Sequence, residues 1–266
     1  AYSNWTKNLY YNKKILYPQN LVILKKIVSS NQIGVCGNLR SFNDTCINKK
    51  KLISLKKFPK KIYIDKKKLL LYVSSNCLLI DVLKKIVPQG YMISVTPGSK
   101  YVTIGGMISN NVIGKNSKNN QFKYILKKIE LLNSNNKIVN CSNNYNKRLF
   151  DTTIGGFGLT GIILNAVISL KKINNQKINQ NIFRFNDYSE FEKIVKKKTN
   201  FNVSWIDSHS LNKKKLKGIF YSGDYSKKKT EKKNNFYNNK KIGFLTKFFL
   251  KMYINNFHFS KVVNMF

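Results

Sequence analysis

The chain has 266 residues, of which 49 are basic and 11 acidic, so its formal net charge is +38. Hydrophobic residues make up 42% of it, which is enough for the core of one large domain or two modest ones and excludes a chain that is disordered throughout. Only three of the basic residues are Arg, whereas surfaces that bind nucleic acid favour the forked guanidinium group. We therefore attribute the excess Lys to an AT-rich coding sequence and expect no specific nucleic-acid partner, with a basic nucleic-acid binder as an alternative.

Cysteine and histidine usage indicates neither a metal site nor a secreted protein. The four cysteines stand far apart without a C-x-x-C pair, and neither histidine is close to one, so we predict no bound metal. The first twenty residues lack the apolar core of a signal peptide, which makes a reducing cytoplasm the expected location. Residues 242–257 predict a buried amphipathic helix or, as the alternative, a helix that lies on a membrane surface.

The first two thirds of the chain interleave helix and strand patterns. Residues 21–30 have helical spacing, and residues 76–87 place five apolar side chains on one helical face behind a Ser or Asn cap. Together these patterns predict an α+β or mixed α/β domain over residues 1–173. Strands are predicted at 32–38, at 60–65 and 69–75 as a hairpin, at 91–95, within 124–142 as a second hairpin around Ser-Asn-Asn, and at 161–173.

The pattern changes after residue 173. Residues 186–198 predict a capped helix, and residues 201–207 and 218–225 predict strands of a second sheet. Residues 226–241 contain almost no apolar side chains and predict a mobile loop. We therefore expect a second domain over residues 174–266.

Three Gly-marked segments are the candidates for ligand binding: GNLRSFND (37–44), PGSKYVTIGGMISNNVIGKN (97–116) and IGGFGLTGII (154–163). None is a standard nucleotide loop, because Gly-Lys is followed by Asn116 in the second segment and the third leads into a strand pattern instead of a helix. Successive N–H groups in the first segment can surround phosphate oxygens, with Arg40 adding a charge. In the second segment, the residues after the paired glycines can start a helix whose N-terminus faces a diphosphate.

The three segments, with their spacing, resemble the flavin-binding domain of the PCMH-type (vanillyl-alcohol-oxidase-type) FAD oxidoreductases, in particular the decaprenylphosphoryl-ribose 2'-oxidase family. GNLRSFND is similar to that family's G-x-G-R-S-Y-G-D, and TTIGGFGLTGIIL to its T-V-G-G-x-G-L-T-G-I-I. PGSKYVTIGGMISNNVIGKN is similar to P-G-T-x-x-V-T-V-G-G-A-I-x-x-D-x-H-G-K-N. The likeness extends to the start of the chain at Trp5 and to FNVSWIDSHS, which resembles the family's V-A-W-x-D strand.

This resemblance implies an α+β fold with a two-subdomain PCMH-type FAD-binding domain and a partial antiparallel-sheet substrate domain. FAD would be held without a covalent bond, with its diphosphate against residues 37–44 and 103–106. Lys115 would be catalytic, because a cation beside the flavin can steady its reduced, anionic form or orient a sugar hydroxyl. The cofactor-binding residues that it implies are Val35, Cys36, Gly37, Asn38, Leu39, Arg40, Ser41, Phe42, Asn43, Asp44, Gly98, Thr103, Ile104, Gly105, Gly106, Ile113, Gly114, Asn116 and Ile162.

The chain departs from the family pattern at three of these positions. Ile113 stands where the family has His, so a histidyl–flavin bond cannot form there. Leu39 replaces a glycine, and its β-carbon can crowd the diphosphate or require an unfavourable positive φ. Asn43 replaces another glycine but tolerates left-handed backbone better. A weakened affinity for FAD is therefore expected.

The function that the resemblance implies is the FAD-dependent oxidation of a secondary hydroxyl of a sugar, in particular a polyprenyl-phosphate-linked pentose. Its implied partners are that sugar substrate, a short-chain reductase that completes a 2'-epimerisation of cell-envelope sugars, and a membrane surface. A sugar-lactone or alditol oxidase and a non-catalytic flavoprotein relic stay as alternatives. Because the family continues beyond the position of Phe266 with a segment that returns to the flavin, we expect a fragment of a longer protein or the product of a decayed gene.

Overall fold

The computed structural model describes residues 2–7, 9–12, 14–29, 33–45, 47, 51–116, 119–196, 199–211 and 216–226. The chain divides into two compact units, Ala1–Gln176 and Lys177–Phe266. Both contain helices and strands, so the mixed class predicted from the sequence is correct. The roles predicted for the two domains, with a boundary after residue 173, stay predictions.

Short helices alternate with strands along the first unit. Three 3₁₀ turns, Leu55–Lys57, Val87–Gln89 and Phe122–Tyr124, lie between them. The elements in chain order are β1 (Tyr2–Ser3), β2 (Tyr10–Tyr11), β3 (Ile15–Leu16), α1 (Leu21–Ser29), β4 (Ile33–Cys36), β5 (Lys51–Ser54), β6 (Ile62–Asp65), β7 (Leu70–Ser74), α2 (Leu79–Ile86), β8 (Tyr91–Met92), α3 (Ile104–Ser109), β9 (Leu126–Leu132), β10 (Ile138–Ser142), α4 (Lys147–Thr153), β11 (Ile162–Ser169) and β12 (Lys171–Lys172).

A three-stranded parallel sheet with the strand order β3-β5-β4 forms one part of this unit. Helix α1 connects β3 to β4, as a parallel arrangement requires, because parallel strands need a crossover between them. The apolar spacing that predicted α1 buries Leu24 in one cluster with Ile53 of β5 and Leu164 of β11. Residues 37–44, the first Gly-marked segment, leave the carboxyl end of β4.

A five-stranded antiparallel sheet with the order β10-β9-β11-β7-β6 forms the other part. Both predicted hairpins are confirmed, since β6 pairs with β7 and β9 pairs with β10. The largest core cluster of the unit joins this sheet to α2 and α3, and it includes the fully buried side chains of Ile104, Phe122 and Ile129.

Helix α2 is confirmed, but its predicted Ser or Asn cap is wrong. The residue before the helix is Leu78, which makes no side-chain cap bond. Asn76 instead donates from Nδ2 to the carbonyl oxygens of Leu55 at 2.9 Å and Phe58 at 2.7 Å, so it stabilises the 3₁₀ turn rather than the helix. The first N–H groups of any helix have no acceptor within the helix. In α2 the first two of them donate instead to the carbonyl oxygens of residues 102 and 100.

The second unit contains an antiparallel sheet and a capped helix, as predicted. Its described elements are β13 (Ile178–Phe185), α5 (Tyr188–Val195), β14 (Phe201–Ile206), α6 (Ser208–Leu211) and β15 (Gly218–Tyr225), with the sheet order β13-β15-β14. Asp187 accepts from the N–H of Glu190 at 2.9 Å, and the Glu190 carboxylate accepts from the N–H of Asn186 at 2.8 Å. This reciprocal pair resembles a capping box, except that the carboxylate accepts from the residue before the cap instead of from the cap itself.

Two predictions for the end of the chain fall outside the described residues. They are the mobile loop, apart from Ser226, and the amphipathic helix at 242–257. Within the part of the chain that the structure describes, no helix combines the length and the apolar character that a membrane crossing requires.

Truncating the buried Phe122 should destabilise the first unit. Its side chain is fully buried in the main cluster, so Phe122→Ala should lower the free energy of unfolding by about 3–5 kcal/mol. Tyr124 lies in the same 3₁₀ turn but is 51% exposed, so Tyr124→Ala should cost about 1 kcal/mol or less. Urea unfolding followed by circular dichroism measures both, and equal losses would contradict the placement of the core.

The stability of the first unit should fall at alkaline pH through Cys77. Burial raises the pKa of this thiol, and the charge of Lys60 opposes the shift. The folded state therefore keeps the proton longer than the unfolded state, so the contribution is fully present below the unfolded pKa of about 8.5 and is lost as pH rises through the folded value. The contribution of Cys77 to the slope of the free energy of unfolding against pH reaches at most about −1.4 kcal/mol per pH unit. Cys77→Ser should remove this contribution. Unfolding curves at pH 7.5–10 that keep the same slope in the variant would refute this.

Candidate functional site

The three Gly-marked segments meet at one cleft of the first unit. Its volume is about 650 Å³, within the range of about 300–1,000 Å³ typical of cofactor sites. The predicted residues that line it are Val35, Cys36, Gly37, Asn38, Leu39, Arg40, Ser41, Phe42, Asn43, Gly98, Thr103, Gly105 and Gly106. The predicted residues outside this lining are Asp44, Ile104, Ile113, Gly114, Lys115, Asn116 and Ile162.

Glycine is required at residue 37 for the first and second segments to meet. A β-carbon on Gly37 would lie 2.3 Å from Oγ1 of Thr103, far inside van der Waals contact. The two segments also share a hydrogen bond of 2.8 Å from Nδ2 of Asn38 to the carbonyl oxygen of Tyr101. The first Gly-marked segment is therefore fixed against the start of α3.

The φ angle of Leu39 is +51°. This is the unfavourable positive φ that the sequence predicted as one of two possible consequences of replacing the glycine. Its side chain packs against a small cluster of Tyr2, Cys36 and Leu52, which compensates part of the backbone strain. The cleft is open although Leu39 belongs to its lining. The departure from glycine thus strains the loop without filling the site.

The start of α3 does not supply the amide donors that the sequence predicted for a diphosphate. The helix begins at Ile104, before the paired glycines, and Thr103 caps it by accepting from the N–H of Gly106 at 3.1 Å. The N–H of Ile104 donates to the carbonyl oxygen of Cys77 at 3.0 Å, and that of Gly105 to Ser75 at 2.8 Å. These amides already have partners inside the protein, so the proposed role of this N-terminus is corrected.

Amide donors are present instead in the first Gly-marked segment. Among the described residues, none accepts a hydrogen bond from the backbone N–H groups of Asn38, Leu39, Arg40 or Ser41. A left-handed residue within a turn, here Leu39, aims successive N–H groups towards one concave side, an arrangement that binds anions. The turn at residues 38–41 can therefore donate to phosphate oxygens.

The charges around the cleft favour an anionic ligand. Arg40, Lys56 and Lys60 belong to its lining, which contains no Asp or Glu among the residues that the structure describes. Lys60 lies 3.4 Å from the carboxylate of Asp81, an exposed pair that neutralises part of this charge. Among the described residues there is also no group of three His, Cys, Asp or Glu side chains that could hold a metal ion.

The predicted catalytic residue, Lys115, is exposed and lies outside the cleft lining. Its loop is anchored next to the cleft, because the N–H of Gly114 donates to the carbonyl oxygen of Asn120 at 2.6 Å and Val112 belongs to the lining. A β-carbon on Gly114 would lie 3.0 Å from the backbone nitrogen of Thr96, next to the Pro97–Gly98 turn.

The third Gly-marked segment supplies four lining residues that the sequence analysis missed: Phe157, Gly158, Gly161 and Ile163. The predicted Ile162 is instead buried with Leu24 in the cluster beneath α1. Successive side chains of a strand point to opposite faces, so the alternation of β11 was a usable signal. The lining residues 54–56 carried no comparable signal, because only the folded chain brings them to the cleft.

Comparison with known proteins identifies the same region. Residues 23–142 match the sequence profile described as an FAD binding domain, and this range includes the first two Gly-marked segments. Decaprenylphosphoryl-beta-D-ribose oxidase of Mycolicibacterium smegmatis is 35% identical over 109 residues, which cover 40% of this chain and 24% of the relative.

Two plant proteins are similar over comparable or longer stretches. Cytokinin dehydrogenase 5 of Arabidopsis thaliana is 31% identical over 115 residues, 42% of this chain and 20% of the relative. Cytokinin dehydrogenase 3 of the same plant is 28% identical over 182 residues, 64% of this chain and 31% of the relative. The matched part of this chain thus spans less than a third of the length of each of these relatives.

The cleft suits the cofactor that the profile names. It has a suitable volume, a cationic lining and a turn of available amides, which are the features that a dinucleotide with a charged diphosphate requires. The Nε atom of Arg40 is buried without a hydrogen-bond partner among the described residues, as expected of a donor that awaits a ligand. Residues 23–142 are therefore an FAD-binding domain of the PCMH type, and FAD is the cofactor of this chain.

Proposed function

We propose that this chain is part of an FAD-dependent oxidoreductase that oxidises a secondary hydroxyl of a sugar. The observation that carries the proposal is the convergence of three Gly-marked segments on one cationic cleft within an FAD-binding domain. When bound, FAD supplies the hydride acceptor. The chain's own contribution is to hold the diphosphate with the turn at residues 38–41 and to leave room for the cofactor beside Gly98.

The proposed substrate class is a polyprenyl-phosphate-linked pentose. It is supported by the 35% identity to decaprenylphosphoryl-beta-D-ribose oxidase and by the motif that ends in Gly114-Lys115-Asn116. In this proposal the first unit is the two-subdomain FAD-binding part, the second unit is part of a substrate domain, and a short-chain reductase completes the epimerisation at a membrane surface.

A second candidate is the dehydrogenation of a cytokinin-like substrate. It is favoured by the likeness to cytokinin dehydrogenase 3, which extends over 64% of this chain, whereas the likeness to the ribose oxidase extends over 40%. Supplying the loaded protein with a polyprenyl-phosphate pentose or with a cytokinin, and following the bleaching of the flavin absorbance, separates the two.

FAD should be bound without a covalent bond. Ile113 occupies the position of the family's histidine and has no nucleophilic atom. Acid precipitation should therefore leave essentially all of the yellow flavin in the supernatant. Flavin that stays with the precipitate after washing would refute non-covalent binding.

Substitution of Gly98 should block FAD without harming the fold. A β-carbon there meets no atom within 4 Å, so Gly98→Leu should leave the melting temperature of the cofactor-free protein nearly unchanged. Because Gly98 belongs to the cleft lining, the added side chain should compete with FAD for space and weaken its binding at least about tenfold, or about 1.4 kcal/mol. Thermal shift with and without FAD measures both effects, because a ligand of the folded state raises its stability. Gly98→Leu protein that binds FAD with wild-type affinity would show that FAD binds elsewhere.

Removing the charge of Lys115 should make the bound FAD harder to reduce. If Lys115 acts beside the flavin, Lys115→Met should lower its midpoint potential by about 30 mV, which corresponds to about 1.4 kcal/mol for two electrons. Lys123→Met is the matched control, because Lys123 contacts the ring of Tyr124, with its Nζ atom 5.2 Å from the ring centroid, and lies outside the cleft. Equal potentials in both variants would remove Lys115 from the proposed site.

A further inference from the structure

The first residues of the chain are hydrogen-bonded to the first Gly-marked segment. The backbone N–H of Trp5 donates to the carbonyl oxygen of Ser41 at 2.9 Å. Asn4 is buried and donates from Nδ2 to the carbonyl oxygen of Phe42 at 2.8 Å. These bonds fix the carbonyl groups of residues 41 and 42, whereas the N–H groups of residues 38–41 have no acceptor among the described residues.

The side chain of Trp5 holds Arg40 in place. The guanidinium carbon of Arg40 lies 4.3 Å from the centroid of the Trp5 ring and 6.0 Å from that of Tyr101. Both distances lie within the reach of a cation–π attraction, and the shorter one places the guanidinium over the Trp5 ring. Both Arg40 and Trp5 belong to the cleft lining.

In the part of the chain that the structure describes, Arg40 has no carboxylate partner to fix it. Among the described residues no Asp or Glu lies within ion-pair distance of its guanidinium, and its Nε atom is buried without a hydrogen bond. A buried and unpaired donor destabilises the cofactor-free protein, and an anionic oxygen in the cleft would satisfy it. Of the Trp5 and Tyr101 rings, that of Trp5 is the closer, and it restricts where this donor can lie.

We propose that Trp5 is a positioning residue for FAD, because its ring holds the Arg40 guanidinium where Arg40 can bind the diphosphate. The inference depends on the assignment of the cleft as the FAD site. It gives the start of the chain a part in cofactor binding that neither the matched FAD-binding range, residues 23–142, nor the Gly-marked segments include.

The test compares FAD dissociation constants, from quenching of flavin fluorescence, for the whole 266-residue chain. Trp5→Leu should weaken FAD binding about threefold to fivefold, the size expected for a cation–π contact whose ring is 45% exposed, and Trp5→Phe should restore most of the loss because it keeps a ring. Trp205→Leu is the matched control, since Trp205 is 57% exposed in the second unit and should not change the affinity.

A double-mutant cycle shows whether Trp5 acts through Arg40. In the Arg40→Gln background, Trp5→Leu should cause no further loss, because the group that it positions is already gone. Binding of ADP, which contains the diphosphate without the flavin, should weaken in parallel with FAD. The effects of Trp5→Leu should also shrink at high salt, because the positioned group is a charge.

The outcomes separate this inference from the assignment of the site. If wild-type protein binds FAD but Trp5→Leu keeps the wild-type affinity, or if the losses of Trp5→Leu and Arg40→Gln simply add, the positioning role is wrong. If wild-type protein binds neither FAD nor ADP, the site assignment fails and this inference fails with it. Circular dichroism of each cofactor-free variant checks the fold, and a folded Trp5→Phe variant with full loss of affinity would also overturn the proposal.

Discussion

The close approach of Gly37 to Thr103 is the constraint on which the cleft depends. It joins the loop that leaves the parallel sheet to the start of α3, which packs on the antiparallel sheet, and only a residue without a β-carbon permits the contact. Thr103 is at the same time the cap of α3, through its bond to the N–H of Gly106. This pair of residues therefore fixes how closely the two segments that line the cleft approach each other. Thr103 also accepts a hydrogen bond from an N–H group at the start of α3.

This packing changes which groups can bind a phosphate. A glycine-rich helix start commonly offers its N–H groups to an anion, but the amides of Ile104 and Gly105 donate to carbonyl oxygens of residues 77 and 75. Helix α3 is thereby held in the core, and the N–H groups that can bind an anion are those of the strained turn around Leu39. The positive φ of Leu39 costs conformational energy that its apolar contacts partly return.

The large net positive charge of the chain does not explain how the cleft would recognise an anionic ligand. Most of the lysines that the structure describes are exposed, where a charge costs and contributes little. At the cleft the distribution differs, because the described lining carries three cations and no carboxylate. One of these cations, Arg40, lies within cation–π reach of the Trp5 and Tyr101 rings, and a guanidinium fixed in this way is a better partner for a diphosphate than a mobile ammonium group.

The sequence by itself determined the local elements and the identity of the cofactor. Periodicity predicted α1, α2 and both hairpins because an element must bury its own apolar face, and the Gly-marked motifs indicated FAD. It could not determine which donors remain available, since the partners of Ile104 and Gly105 come from residues about thirty positions away. Nor could it show that Ile162 faces α1 or that Trp5 meets Arg40. Those contacts join distant parts of the chain, and only tertiary packing decides which side chains and amides meet.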